Sequence, residues 1–343
     1  MITKSQILEF RKYLKSAKNP LFFFDDDPDG LCSYLILKKY VGRGKGAVLK
    51  TTSVLDLNLF HKVEEYNPDV IFILDIPIVS QEFLDRCDVP VLWLDHHAPI
   101  KRKGVKYFNP MLKSENTIPT TYLAHKITEE KDLFLGTLGS ISDWYFPEYV
   151  KEFSKKYPDL LSSKIKTPPE AIFDSKLGEL INIFSLSLKK STSKVHKIAN
   201  LLLKIEDPYE LLEAKTSRSK FIQREVGPLL VDYNKVIRYI QKQKPTRDKL
   251  FILELPKTKN SYTSTVSNYV IYKHPKKIII IIRKKEDRIM MSLRSHKINI
   301  RDPLTKALEG LDGFGGGHEN ACGASINIGQ FEEFIQKFKE YLK

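Results

Sequence analysis

Three apolar runs in this chain stop abruptly at acidic or imidazole side chains. Leu21-Phe22-Phe23-Phe24 runs into Asp25-Asp26-Asp27-Pro28-Asp29-Gly30, Val70-Ile71-Phe72-Ile73-Leu74 into Asp75, and Val91-Leu92-Trp93-Leu94 into Asp95-His96-His97. Short runs of this kind read as buried strands of a parallel sheet. In open α/β sheets, ligands and catalytic groups sit just beyond the carboxyl ends of such strands. The pattern predicts one metal site assembled along one sheet edge. Asp25, Asp27 and Asp29 alternate, so in an extended segment their carboxylates share one side. Anions packed this closely are costly unless cations neutralise them.

Blander readings exist for each piece. Asp-x-Asp-x-Asp-Gly also opens an EF-hand calcium loop. Here, however, the twelfth position is Ile36, where that loop needs a bidentate Glu, and the preceding segment is an apolar strand. Asp75 alone could cap a turn, His96 and His97 could be a structural pair, and Asp143 could simply end a helix. Their joint occurrence is what points to a catalytic metal cluster.

The elements that must position these groups alternate. Ile7, Phe10 and Leu14 recur at helical spacing, giving an amphipathic helix over 4–17. There follow strand 21–24, helix 30–41, a strand near 48–54, a helix near 58–66, strand 70–74, a short helix near 80–86 and strand 91–94. Strands interleaved with helices imply a doubly wound, mainly parallel sheet. Residues 118–145 read as helical up to Ser142-Asp143-Trp144, with Pro147 as a stop. From 151 to 245 the text is Lys-, Leu- and Ser-rich and reads as a helical connector. Strands return at Leu250–Leu253, Lys277–Ile282 and Arg288–Leu293. A Gly-rich loop, Gly313 to His318, then lies between helix 302–310 and a strand around 323–328. The expectation is an α/β chain with three parts: a doubly wound domain over 1–150, the connector over 151–245, and a smaller α/β domain over 246–343. A substrate cleft would lie between the two domains.

A length of 343 residues favours two domains. No stretch approaches the apolar length of a bilayer span, and the Lys-rich start lacks the pattern of a signal peptide. Cys32, Cys87 and Cys322 show neither even number nor CxxC spacing, which fits a reducing, cytoplasmic setting and argues against a disulfide framework or zinc ribbon. The formal charge of +14 is unevenly divided. Residues 1–150 carry 19 Lys and Arg against 20 Asp and Glu, leaving 37 against 22 for residues 151–343. A basic back part is the electrostatic footprint of a polyanion, although scattered lysines on solvated helices give the same total.

Taken in order, Asp25-x-Asp27-x-Asp29-Gly30, Asp75, Asp95-His96-His97 and Asp143 resemble the four motifs of the DHH phosphoesterase superfamily. Ser292-Leu293-Arg294-Ser295, followed by Gly315-Gly316-Gly317-His318-x-x-Ala321-x-Gly323, resembles its DHH-associated C-terminal domain. That pairing occurs in RecJ-type single-strand exonucleases, nanoRNase/pAp phosphatases and cyclic-dinucleotide phosphodiesterases. The resemblance implies that Asp25, Asp27, Asp29, Asp75, His96 and Asp143 are metal ligands, with Asp75 bridging two ions. Asp95 would orient His96, the usual task of a carboxylate beside a ligating imidazole, and His97 would face the substrate phosphate. Asp75, Asp95, His96 and His97 form the implied catalytic set. Oxygen-rich ligation with imidazole suits Mn²⁺, with Mg²⁺ or Co²⁺ as alternatives. Two such ions roughly 3.5–4 Å apart activate water and neutralise phosphoryl charge. Arg294, Gly315, Gly316, Gly317 and His318 would grip the substrate anion, the glycines by letting backbone N–H groups approach it.

Three functions compete. A Mn²⁺-dependent exonuclease on single-stranded DNA or RNA, as in DNA repair, would use the basic back part to track phosphates and Tyr262, Tyr269, Tyr272 and Phe314 to stack bases. A small-substrate phosphoesterase acting on nanoRNA, cyclic dinucleotides or pAp needs the same centre and no long groove. A replication or repair scaffold needs no ligand set, yet every motif carboxylate and both histidines are present. A class II inorganic pyrophosphatase is disfavoured, since its C-terminal domain lacks the Gly-Gly-Gly-His pattern. The partners expected are a single strand or short oligonucleotide and no membrane. A second copy or a repair protein could be engaged through 151–245.

Overall fold

A computed structural model of the protein describes residues 1–50, 54–115 and 117–342. The chain forms two compact units, Met1–Gly227 and Pro228–Lys343. The boundary falls at the Gly227-Pro228 pair inside the long helix Ser217–Gln241. The expected connector is therefore divided. Its residues 151–227 pack within the first unit, where Phe184 of helix Leu177–Leu188 meets Phe134 edge-on at 6.2 Å.

In the first unit, five strands form one parallel sheet in the spatial order Lys45–Leu49, Pro20–Asp25, Val70–Leu74, Val91–Leu94, Lys106–Phe108. The apolar runs are continuous because both faces are covered. Leu21 and Phe23 face a cluster with Phe60, Phe83 and Trp93, while Phe22 and Phe24 stack on Phe72 and Tyr34 respectively. The strand expected near 48–54 ends at Leu49, and its positions 51–53 lie outside the described residues.

Register brings the acidic ends together. Phe24 pairs with Leu74 and Leu74 with Leu94, so Asp25, Asp75 and Asp95 follow at the same height on adjacent strands. The chain leaves Pro20–Asp25 toward Lys45–Leu49 and then crosses back to Val70–Leu74. The switch point, where α/β sheets open a crevice, thus lies between Asp25 and Asp75.

The helix Pro28–Val41 begins at that crevice. Asp27 is its N-cap and accepts from the Gly30 N–H at 2.8 Å, Pro28 occupies the first turn, and Gly42 closes it at φ 69°. The acidic segment is therefore not extended: Asp25 ends a strand, Asp27 caps a helix and Asp29 sits in its first turn. Gly30 is required by proximity, since a Cβ there would lie 2.8 Å from both the backbone N and O of Asp25. The single helix expected over 118–145 is two, Thr120–Ile127 and Leu133–Ser142. Glu129 and Glu130 break it at φ 62° and 60°, and Asp132 caps the second helix.

The second unit holds a five-stranded sheet in the order Gly313–His318, Ala321–Asn327, Arg288–Arg294, Ile278–Lys285, Leu250–Glu254. The last pair is parallel and the rest antiparallel. Ile280, Leu293, Ile326, Phe334 and Phe338 lie at the heart of its core. The Gly-rich segment expected as a loop is the edge strand Gly313–His318. Among the described residues, no helix is long and apolar enough to cross a membrane.

Gly30→Ala forces the helix start away from Asp25. We expect a loss of about 1–3 kcal/mol in urea unfolding, the usual cost of overpacking, together with weaker divalent-ion binding. Wild-type values for both would disprove the close-approach role.

Candidate metal centre

Each candidate ligand of the first unit is held by a different local device. Asp25 ends its strand. Asp75 follows Val70–Leu74 in the left-handed region at φ 61°, a conformation that Asp tolerates better than most residues, and its N–H donates to Leu94 O at 2.9 Å. Asp95 and His96 leave the next strand, with the Asp95 N–H donating to Phe108 O at 3.1 Å. Asp143 is the C-cap of Leu133–Ser142. These devices bring all six expected ligands, and His97 with them, into one cluster. Potential ligand atoms lie within 4.8 Å of one another in three overlapping sets: Asp75, His96 and His97; Asp29, His96 and Asp143; Asp25, Asp27 and Asp75.

His96 is central to the cluster. Its Nε2 is 3.3 Å from Asp75 Oδ1 and 3.8 Å from Asp29 Oδ2, and its Nδ1 is 3.7 Å from Asp143 Oδ2. The longer separations are not hydrogen bonds. Two donors each about 2.1 Å from one hard cation are themselves roughly 3 Å apart, so the 3.3 Å spacing of His96 Nε2 and Asp75 Oδ1 suits a shared ion. His96 Nδ1 is buried without a hydrogen-bond partner, and an orphaned buried ring nitrogen calls for such a ligand. The donor set of carboxylates and imidazole matches Mn²⁺ or Mg²⁺ chemistry.

Electrostatics agree. Burial and then the neighbouring Asp27 charge push the Asp25 carboxyl up to about 7. Asp27, Asp75 and Asp143 are likewise raised, first by burial and then by one another's charges and that of Asp29. A cluster that resists ionisation in this way is relieved by a cation.

Asp29 does a second job. Its two oxygens accept the N–H groups of Thr120 and Thr121 at 2.8 and 2.7 Å, capping a helix whose own N-cap position is Pro119. Thr120 Oγ1 also donates to Asp75 Oδ1 at 3.1 Å. Asp95 does not orient His96 as expected. It accepts from His97 Nδ1 at 2.7 Å and from the His97 N–H, and it is itself held by Tyr107 OH at 3.0 Å and Asn109 Nδ2 at 3.2 Å. Burial pulls the His97 pKa down, but the Asp95 hydrogen bond and charge outweigh it and the imidazole sits above its usual value. Thr120, Thr121, Tyr107 and Asn109 escape a reading of the sequence. Pro119-Thr120-Thr121 looks like an ordinary helix start and Asn109-Pro110 like an ordinary turn.

The remaining candidates lie in the second unit. Arg294 is half-buried and donates to Asn268 Oδ1, Ser292 Oγ, Leu293 O, Cys322 O and Ser264 Oγ. Arg294 and His318 both pair with Ala321, from opposite sides. They are therefore two strand spacings apart, about 10 Å. Gly315 and Gly317 are required sterically: an added Cβ would meet Ala324 Cβ at 2.8 Å and Ala321 O at 2.4 Å, and Gly317 stands at φ 140°. Gly316 has open space around it. Of the expected stacking aromatics, Tyr262 is in the core, donating to Leu229 O, whereas Phe314 is 67% exposed.

Residues 247–343 match the DHHA1 domain. The fold of the chain is similar to that of RecJ from Thermus thermophilus in complex with Mn²⁺, at 18% identity and a TM-score of 0.68, covering 98% of this chain and 54% of that one. It is also similar to an exonuclease RecJ bound to manganese (16%, TM-score 0.65, covering 100% and 95%). A third similar fold is the pGpG-specific phosphodiesterase PggH from Vibrio cholerae (13%, TM-score 0.55, covering 95% and 99%). The chain spans about half the length of the Thermus RecJ. No curated protein matches the sequence. The C-terminal part of the chain thus matches a DHHA1 domain, and the chain as a whole shares the fold of these RecJ structures.

The raised carboxyls set a pH dependence for the metal-free protein. Below the ordinary value of 3.8, Asp25 is protonated in both folded and unfolded states. As pH climbs from there to about 7, the unfolded chain ionises first, so folding stability is lost across that window. A bound divalent ion reverses the penalty. We expect Mn²⁺ at a hundredfold excess over its pH 8 Kd to stabilise the protein by about 2.7 kcal/mol at pH 8, and the same concentration to raise Tm less at pH 5. The shift should shrink sharply in Asp75→Asn. An equal shift at both pH values would refute the electrostatic account.

Proposed function

We propose that the chain is a metal-dependent phosphoesterase that hydrolyses phosphodiester bonds in single-stranded DNA or RNA, with Mn²⁺ as its working ion. The observation that carries this reading is the gathering of Asp25, Asp27, Asp29, Asp75, His96 and Asp143 into overlapping ligand sets, with the buried His96 Nδ1 left without a hydrogen-bond partner. These residues would hold divalent ions, Asp75 and His96 each being common to two of the ligand sets. When bound, such ions supply an activated water and offset charge on the phosphoryl oxygens. The chain's own groups do the rest. Asp29, fixed by the Thr120 and Thr121 N–H groups, ties the start of the helix Thr120–Ile127 to the centre. Asp95 anchors His97 through Nδ1 and favours the imidazolium, whose other ring N–H would donate to a phosphoryl oxygen. In the second unit Arg294, His318 and the segment Gly315–Gly317 are the proposed anion grip, to which only the glycine N–H groups facing away from Ala321–Asn327 are available. Residues 228–343 carry 22 Lys and Arg against 12 Asp and Glu, a balance suited to a strand with several phosphates.

A second reading, a phosphoesterase for dinucleotides or pAp, is favoured by the fold likeness to a pGpG phosphodiesterase over nearly the full length of both chains. End-labelled DNA and RNA strands of graded length, assayed with Mn²⁺ beside pGpG and pAp, separate the two. The strand reading expects activity that grows with length and falls steeply with salt; turnover confined to dinucleotides would overturn it. Asp75→Ala and His96→Ala should each nearly abolish cleavage while far-UV circular dichroism stays wild-type. Asn109→Ala should lower kcat about tenfold to a hundredfold, the usual effect of removing an outer hydrogen-bond partner. Wild-type turnover by Asp75→Ala or His96→Ala would refute the metal assignment.

A further inference from the structure

A second concavity of the first unit lies beside the His97 relay. Two residues beyond His97 the chain enters Pro99-Ile100-Lys101-Arg102-Lys103. With Tyr107 and Leu112, this segment lines a cavity of about 860 Å³, within the range of small-ligand sites. Tyr107 belongs to both places. Its hydroxyl donates to Asp95, which holds His97, and the residue also lines the cavity. One ring face is stacked on Trp93 at 4.1 Å, so only the other face or the edge is left to the cavity.

The chemistry of the walls is divided. Pro99, Ile100 and Leu112 are apolar, and Leu112 is 51% exposed. Lys101 and Lys103 are exposed at the rim. Arg102 is pinned, its Nε donating to Val79 O at 2.6 Å and its Nη1 to Lys101 O at 3.1 Å. The Lys103 N–H and O are tied to the Gln81 side chain at 3.0 and 3.2 Å. The basic segment is thereby held against the helix Gln81–Asp85 rather than left as a loose loop. The acid on the cavity wall, Asp85, is itself engaged by Gln81. An aromatic ring with apolar neighbours suits a base, and a rim of two lysines beside it suits phosphates.

We propose that this cavity is a nucleotide subsite, taking a base and its flanking phosphates from a single strand whose scissile phosphate lies at the metal centre. The inference rests on the phosphodiesterase reading above and deepens it, because a site beyond the reacting pair favours a strand over a dinucleotide. Apolar contact and charge complementarity together commit the cavity to single-stranded nucleic acid; an acidic peptide would leave the Tyr107 ring without a planar partner.

The test is a binding measurement made in EDTA on the full chain, which separates it from catalysis. Fluorescence anisotropy with a labelled strand of about 12 nucleotides, within the span of one single-strand site, compares wild type, the double variant Lys101→Ala/Lys103→Ala, and Leu112→Glu. We expect at least tenfold weaker binding by the double variant. The slope of log K against log salt should fall by about 1.4, two phosphates at roughly 0.7 each for a single strand. Leu112→Glu, which places a carboxylate on the apolar wall, should weaken binding several-fold. All three side chains are exposed, so unchanged melting temperatures are expected and confirm that folding is intact. Affinity and salt slope equal to wild type in both variants would overturn the subsite, even if the protein cleaves dinucleotides with Mn²⁺. A protein that cleaves no phosphodiester would instead overturn the catalytic reading, and the anisotropy result would still judge the cavity.

Discussion

Charge repulsion among buried carboxylates is the constraint around which the first unit is organised. Asp25, Asp27, Asp75 and Asp143 are driven toward neutrality by burial and by each other. A fold gains nothing in stability from such an arrangement without a cation, because desolvated like charges cost free energy. Every nearby device maintains the crowding all the same. Strand register puts Asp25 and Asp75 level, Gly30 lets a helix begin against Asp25, and Asp75 takes a left-handed backbone to end its strand. Local rules broken together at one place mark a functional site.

Much of this is legible in the sequence. The apolar runs can be located because a strand buried on both faces must be apolar throughout, and their carboxyl ends then name Asp25, Asp75 and Asp95. The C-terminal domain is legible through Arg294 and the Gly315–His318 pattern. Other features are illegible for identifiable reasons. Asp-x-Asp-x-Asp reads as an extended alternation, yet Asp27 caps a helix, because Pro28 and Gly30 permit a start that no periodicity announces. Asp95 reads as the partner of its immediate neighbour, whereas the backbone turn presents His97 and leaves His96 to the acidic cluster. Thr120 and Thr121 contribute mainly backbone N–H groups to Asp29. Backbone donors carry no residue signature, so only their position in space reveals them.

The supporting hydrogen bonds divide the site into two mechanically distinct halves. The Asp29 side is tied by backbone N–H groups from the helix Thr120–Ile127, which fixes its carboxylate through secondary structure. The His97 side is tied by side chains, Asp95 to Tyr107 and Asn109, with Asn109 also donating to His97 O at 2.9 Å and to Tyr107 OH at 2.8 Å. A ligand set benefits from the stiffer first arrangement, since metal geometry tolerates little drift. His97, on the proposed reading the imidazole that meets the phosphate, hangs on the second arrangement, which ends at Tyr107, on a cavity wall.

Charge is also partitioned along the chain in a way that would suit the proposed polyanionic substrate. The acidic centre sits in a stretch of nearly balanced charge, while the excess of lysine and arginine lies mostly in the later part of the chain. Were the metal ligands set in an anionic surround, the same field that draws cations would repel a phosphodiester. Burial and mutual repulsion instead drive these carboxyls toward neutrality, so exposed lysines would dominate the longer-range field that the proposed strand meets. The isolated basic segment Lys101-Arg102-Lys103 follows this logic inside the balanced unit, placing cations close behind His97 in the chain but on a separate wall from the acidic cluster.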